Sequence, residues 1–91
     1  METSRFFITP FAIAVDGQKV VILEVFKGAN PAGEIEYRVV VSLEYKGIKS
    51  KPYSLVVRDE QDLINKLKIE ITRLKMIEYT YGIDEVRRII S

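Results

Sequence analysis

Residues 11–22 read FAIAVDGQKVVI, two apolar runs joined by the pair Asp16-Gly17. An Asp-Gly pair between two such runs predicts a two-residue β-hairpin, because a type I′ turn needs positive φ at both central positions. The apolar runs extend outward on both sides of the turn. The sequence therefore predicts a first strand over residues 5–15 and a second over residues 18–27.

The turn also predicts which residues lie opposite each other. It places Val15 opposite Gln18 and, further out, Phe7 opposite Phe26. In this register both faces of the hairpin are largely apolar. One helix cannot cover both faces of a sheet, so the pattern predicts that some of this surface meets another element or another chain.

A second hairpin follows a Gly- and Pro-containing loop. Residues 34–45 alternate apolar and polar types, which predicts a strand with one buried face. The pair Lys46-Gly47 predicts a second tight turn, and residues 48–58 form the fourth predicted strand.

Two prolines and one charge pair support a simple meander. Pro10 and Pro52 fall inside the first and fourth predicted strands, which are the edge strands of a meander. Edge strands tolerate proline because it has no N–H group to give to a neighbour. The second turn also places Glu44 opposite Lys49, a favourable cross-strand pair.

The last third of the chain has a helical pattern. Asp59 is a good N-cap for a long helix over residues 59–81, and Gly82 is typical of a helix end. A short helix is predicted over residues 84–90. The fold class is thus α+β, a four-stranded antiparallel β-meander followed by one long and one short helix, in a single domain spanning residues 1–91.

Composition excludes several classes of function. The 91 residues include no Cys, no His and no Trp, and the formal net charge is +1. Disulfides, thiolate chemistry and the commonest metal ligand are therefore absent. No catalytic motif or phosphate loop is present, so we expect no enzyme, cofactor or metal. The scarcity of Asn and Gln is typical of thermophilic proteins, and without a leader or spanning segment we expect a cytoplasmic protein and no membrane association.

The basic residues are concentrated in one segment. Residues 46–58 carry four basic groups and no acid. Lys49, Lys51 and Tyr53 alternate, so a regular strand would place them on one face, where lysines contact phosphates and a tyrosine stacks on a base. The predicted nucleic-acid site is completed by Arg38, Lys46 and Arg58. Lysines and proline on an edge strand also block edge-to-edge aggregation, and this alternative stays open.

The junction of the last strand and the long helix carries a loose motif. It consists of Tyr53-Ser54-Leu55, Glu60-Gln61, Leu67-Lys68 and Ile71. The motif and the element order are similar to the transcriptional coactivator domains that bind melted DNA as dimers. The segment between strand and helix does not align with them without a gap. The resemblance implies a dimer that binds unpaired DNA.

Apolar residues away from the main helical stripe predict an oligomer interface. The main apolar stripe of the long helix comprises Leu63, Leu67, Leu74, Ile77 and Tyr81. Ile69, Met76 and Ile83 fall on the side opposite that stripe, and Phe6 and Ile8 lie in the first strand. We therefore expect a homo-oligomer, with a dimer as the first choice. The leading hypothesis is a small oligomeric, non-catalytic protein that binds single-stranded nucleic acid with little sequence preference. The alternative is a structural or regulatory protein–protein interaction module with no nucleic-acid role.

Overall fold

The predicted α+β fold is confirmed. The computed structural model describes the backbone of residues 3–6 and the whole of residues 9–91. Six strands are followed by two helices: β1 Thr3–Phe6, β2 Phe11–Val15, β3 Gln18–Ala29, β4 Ile35–Tyr45, β5 Ile48–Lys49, β6 Tyr53–Val57, α1 Glu60–Tyr81 and α2 Ile83–Ile90.

The strands form one antiparallel sheet in which each predicted edge strand is divided in two. β1 and β2 both pair with β3, β3 pairs with β4, and β4 pairs with both β5 and β6. Pro10 lies in the gap between β1 and β2, and Pro52 lies between β5 and β6. The ladders are interrupted at prolines because a residue without an N–H group cannot donate to its neighbour.

The register of the first hairpin is confirmed near its turn and wrong further out. In β2, Phe11 lies opposite Ile22 as predicted. Beyond the gap, however, Arg5 lies opposite Phe26, where the unbroken strand predicted Phe7, a residue outside the described part of the chain. The gap between β1 and β2 therefore shifts the pairing by two residues.

The hydrophobic core lies between the helices and one face of the sheet, here called the inner face. Leu43 and Tyr45 of β4 are almost completely buried there, as is Val20 of β3. From the helices, the fully buried residues are Leu67, Ile71, Leu74 and Val86. The helices thus cover the end of the sheet that carries the two tight turns.

The ends of α1 agree with the predicted signals. The Asp59 side chain accepts a hydrogen bond from the Asp62 N–H at 2.8 Å, which satisfies one unpaired donor of the first helical turn. At the other end, Gly82 has a φ of 96° and its N–H donates to the Glu78 carbonyl. Glycine adopts this backbone conformation without steric cost.

A polar network joins the second tight turn to α1. The Tyr45 hydroxyl donates to Glu78 Oε1 at 2.6 Å, and Lys46 Nζ lies 2.8 Å from Glu78 Oε2. The hydrogen bond from Lys46, followed by that from Tyr45, lowers the pKa of Glu78 below its ordinary value. Burial, together with Glu78, raises the pKa of Tyr45 to about 12.

We expect Asp59→Ala to lower the free energy of unfolding by about 1 kcal/mol, because the capping hydrogen bond is lost. Chemical denaturation measures this change. Asp84→Ala is the matched control, since among the described residues the exposed Asp84 side chain forms an ion pair with Arg87 of its own helix and no helix-capping bond. Equal losses in the two variants would contradict the capping role of Asp59.

The Glu78 network predicts a pH dependence of stability. Because the pKa of Glu78 is lowered by folding, its carboxylate stabilises the fold above the ordinary value of 4.5. That contribution disappears as the pH falls through the folded-state pKa. Glu78→Gln should flatten the stability profile in this acidic range, as measured by thermal unfolding at a series of pH values. An unchanged profile would be evidence against the network.

Candidate nucleic-acid and assembly surfaces

The predicted face shared by Lys49, Lys51 and Tyr53 is wrong. Lys49 lies opposite Glu44, whereas Tyr53 lies opposite Val41 on the inner face. Across the gap between β5 and β6, the register with β4 shifts by one residue. Because side chains alternate along a strand, a shift of one residue moves them to the other face.

Tyr53 consequently belongs to the packing of the protein. Its ring packs against the hydrophobic core, and its buried hydroxyl has no hydrogen-bond partner among the described residues. Burial, and secondarily the charge of Glu70, raises the pKa of Tyr53 to about 12. The assignment of this ring to base stacking is therefore wrong, because the ring is not free to receive a base.

Two other predicted nucleic-acid residues lie apart from the rest. Lys46 forms the ion pair with Glu78 at the end of α1. Arg58 precedes α1, where its N–H donates to Asp62 Oδ2 at 2.9 Å, and it lines a groove on the inner face. The structure therefore does not bring the six predicted residues together at one site.

The remaining cations lie on or beside the sheet face that the helices leave uncovered, here called the outer face. It has one cross-strand row of Lys19, Glu44 and Lys49 and another of Phe26, Arg38 and Val56. The guanidinium carbon of Arg38 lies 4.7 Å from the centre of the Phe26 ring, within the range of a cation–π contact.

Sequence reasoning missed Phe26 as part of this surface. A β-bulge between Ile22 and Glu24 shifts the pairing of β3 with β4, and this shift decides which face the following residues occupy. No turn signal marks the bulge, so alternation counted from Asp16-Gly17 assigns the wrong face. The alternation of apolar and polar residues in β4 places Arg38 away from the core. Because Phe26 pairs with Arg38, that alternation indicates the correct face for Phe26.

The charged side chains on and beside the outer face differ in whether they form ion pairs or hydrogen bonds. Lys49 and Lys51 are exposed, and neither forms a side-chain hydrogen bond or ion pair with any part of the chain that the structure describes. Glu44 lies 3.8 Å from Lys19, and Glu36 accepts a hydrogen bond from the Asn30 side chain. The uncompensated charge at this sheet edge is therefore positive.

An apolar groove occupies the opposite side of the molecule. It lies between the inner face and the first turns of α1, and its volume is about 690 Å³. The sheet contributes Phe11, Ile13, Ile22, Val25, Tyr37, Val39 and Val57, and the helix contributes Leu63 and Ile64. Arg58, Asp59 and Glu60 supply its polar lining.

The residues predicted to form an oligomer interface differ in their exposure. Ile69 and Met76 are 69% and 65% exposed on α1, so they are available for contact. Ile83 is half-buried at the start of α2, where it packs against the core, and its place in an interface stays a prediction. Ile8 and the side chain of Phe6 lie outside the described residues.

Comparison with protein families, curated proteins and solved structures returned no match for this chain. None of the helices in the described part of the chain is long and apolar enough to cross a bilayer. Across the same residues, no cluster of three or more acidic side chains is placed to hold a metal ion.

The Tyr53 hydroxyl, which has no hydrogen-bond partner in the described part of the chain, predicts that Tyr53→Phe stabilises the protein. Removing a buried polar atom that has no partner should raise the free energy of unfolding by about 1 kcal/mol. Tyr45→Phe is the matched control, because it removes a hydroxyl that donates to Glu78 and should destabilise the fold. Urea denaturation distinguishes them. A destabilised Tyr53→Phe variant would show that this hydroxyl has a favourable partner.

Proposed function

We propose that this chain is a small, oligomeric, non-catalytic protein of the cytoplasm that binds single-stranded nucleic acid on the outer face of its sheet. The observation that carries the proposal is the placement of cations on a helix-free surface. Arg38 and Lys49 lie on that face, and Lys51 is exposed at its edge. Such a surface suits a ligand with an extended line of negative charge.

The lysines supply the phosphate contacts. Within the described residues, no ion pair holds the ammonium groups of Lys49 and Lys51, whereas those of Lys46 and Lys66 are paired with Glu78 and Asp62. Neutralising a phosphate releases condensed counterions, which favours binding most strongly at low salt. Contacts of this kind are independent of base sequence.

Arg38 and Phe26 supply the contact to bases. The guanidinium is planar and already lies over the aromatic ring, and unpaired bases stack on planes of this kind. Along β4, Arg38 is six residues from Glu44, the neighbour of Lys49, a distance of about 20 Å. The cations thus follow the strand direction over the length of a short extended segment of nucleic acid.

Small side chains also occur on the outer face between these cations. Ala12 and Ser42 lie on either side of Val21, and Ser54 lies opposite Val40. Both Ala12 and Ser54 are exposed. A ligand backbone can therefore approach the sheet closely at these two positions, whereas Glu24, opposite Val40, is a longer acidic side chain on the same face.

The second candidate is a structural or regulatory protein–protein interaction module. The apolar groove favours it, because a contiguous apolar surface is typical of a protein contact. In this case Lys51 and Pro52 only protect the sheet edge from pairing with other strands. The two candidates differ in their response to salt, since phosphate binding weakens as salt rises and apolar association does not.

The nucleic-acid proposal predicts that the full chain binds a fluorescein-labelled oligothymidine more tightly than a duplex of equal length. Fluorescence anisotropy should show weaker binding at about 200 mM than at about 50 mM salt. The double variant Lys49→Glu, Lys51→Glu should bind at least about tenfold more weakly, because two phosphate contacts become repulsive. Both positions are exposed, so the fold should be retained.

The matched control is Lys68→Glu with Lys75→Glu, which changes the net charge equally but at two exposed positions of α1. We expect this control to bind like the wild type apart from a small general effect. Wild-type protein that shows no binding to the single-stranded oligothymidine at low salt would overturn the proposal and favour the interaction module. Equal losses in the two double variants would also overturn it, since the outer face would then have no special role.

A further inference from the structure

The apolar groove exposes surface that a chain of this size normally buries. Phe11 is 50% exposed. Ile35, two residues before Tyr37 on the same face of β4, is 53% exposed. Apolar surface in water costs about 25 cal/mol per Å² relative to burial. Covering the groove would therefore favour association.

The groove lies at one end of the molecule. In α1, Leu67, Ile71 and Leu74 are completely buried, whereas Leu63 and Ile64 near its start are only half-buried. The radius of gyration is 14.3 Å, compared with about 12 Å for a compact domain of this length. The sheet thus extends beyond its helical cover, and the groove lies at this thin end.

The polar lining of the groove indicates what covers it. Arg58 is followed directly by Asp59 and Glu60, so basic and acidic groups lie side by side. A surface that carries both signs can meet a copy of itself about a two-fold axis with its opposite charges paired. A site for a strongly charged partner would instead carry one sign. With a net charge of +1, two copies also repel each other little.

We propose that the groove is a self-association surface, covered by a second copy of the chain about a two-fold axis. Phe11 is central to this contact, because it lines the groove of its own copy and also projects half-exposed beside it. Each copy can therefore place Phe11 against the partner's apolar lining. This surface differs from the exposed helical positions Ile69 and Met76, and it is separate from the outer face.

The absence of Trp from the chain allows a direct test. Phe11→Trp introduces a single indole at the groove. As the concentration rises, sedimentation should show the mass doubling from 10.5 kDa, and the indole emission should shift to shorter wavelength over the same range. Ile69→Trp is the matched control on α1, and its emission should stay unchanged while its mass doubles.

A charge in the groove should prevent association. Phe11→Glu should remain a folded monomer, as judged by circular dichroism and sedimentation. Should Phe11→Glu fail to fold, Leu63→Glu places the charge at a half-buried residue of the groove lining on α1. A wild-type chain that is monomeric at high micromolar concentration would overturn the proposal and leave the groove to a different protein. An emission shift in Ile69→Trp alone would show that the chains associate through α1 and would overturn the proposal. Emission shifts in both Trp variants, with masses above that of a dimer, would also overturn the two-fold arrangement.

Discussion

The absence of an N–H group in proline is the constraint on which the two faces of this sheet depend. At Pro52 the ladder between β4 and the edge strand stops, and it resumes with one residue added. Because side chains alternate, that single residue moves Tyr53 to the core and leaves Lys49 on the outer face. The packing of the protein and the charge of its open surface therefore follow from the same interruption.

Local chemistry was sufficient to predict most of the fold from sequence. Asp16-Gly17 and Lys46-Gly47 adopt the positive φ angles of their turns, and the Asp59 cap and the Gly82 helix end are where their residue types indicate. These signals lie within a few residues of the structure they specify. The two tight turns also determine which strands are neighbours on either side of them, β2 with β3 and β4 with β5.

The candidate site was harder to predict, because it depends on register over longer distances. Face assignments hold only until the first bulge, and the irregularity between Ile22 and Glu24 has no distinct sequence mark. Phe26 was therefore missed and Tyr53 misassigned. Lys49 and Lys51 are exposed, as lysines beside a proline in an edge strand indicate. Pairing of Lys46 with Glu78 joins residues 32 positions apart and has no local signal.

Consecutive residues of β3 serve opposite sides of a single layer: Val25 lines the groove, and Phe26 contacts Arg38 on the other face. Two chains joined at their grooves would consequently direct their outer faces away from each other. A second binding event on one long strand would then be intramolecular and gain avidity from its effective concentration. Such a particle would loop one strand or bridge two, even if each single face held its ligand weakly.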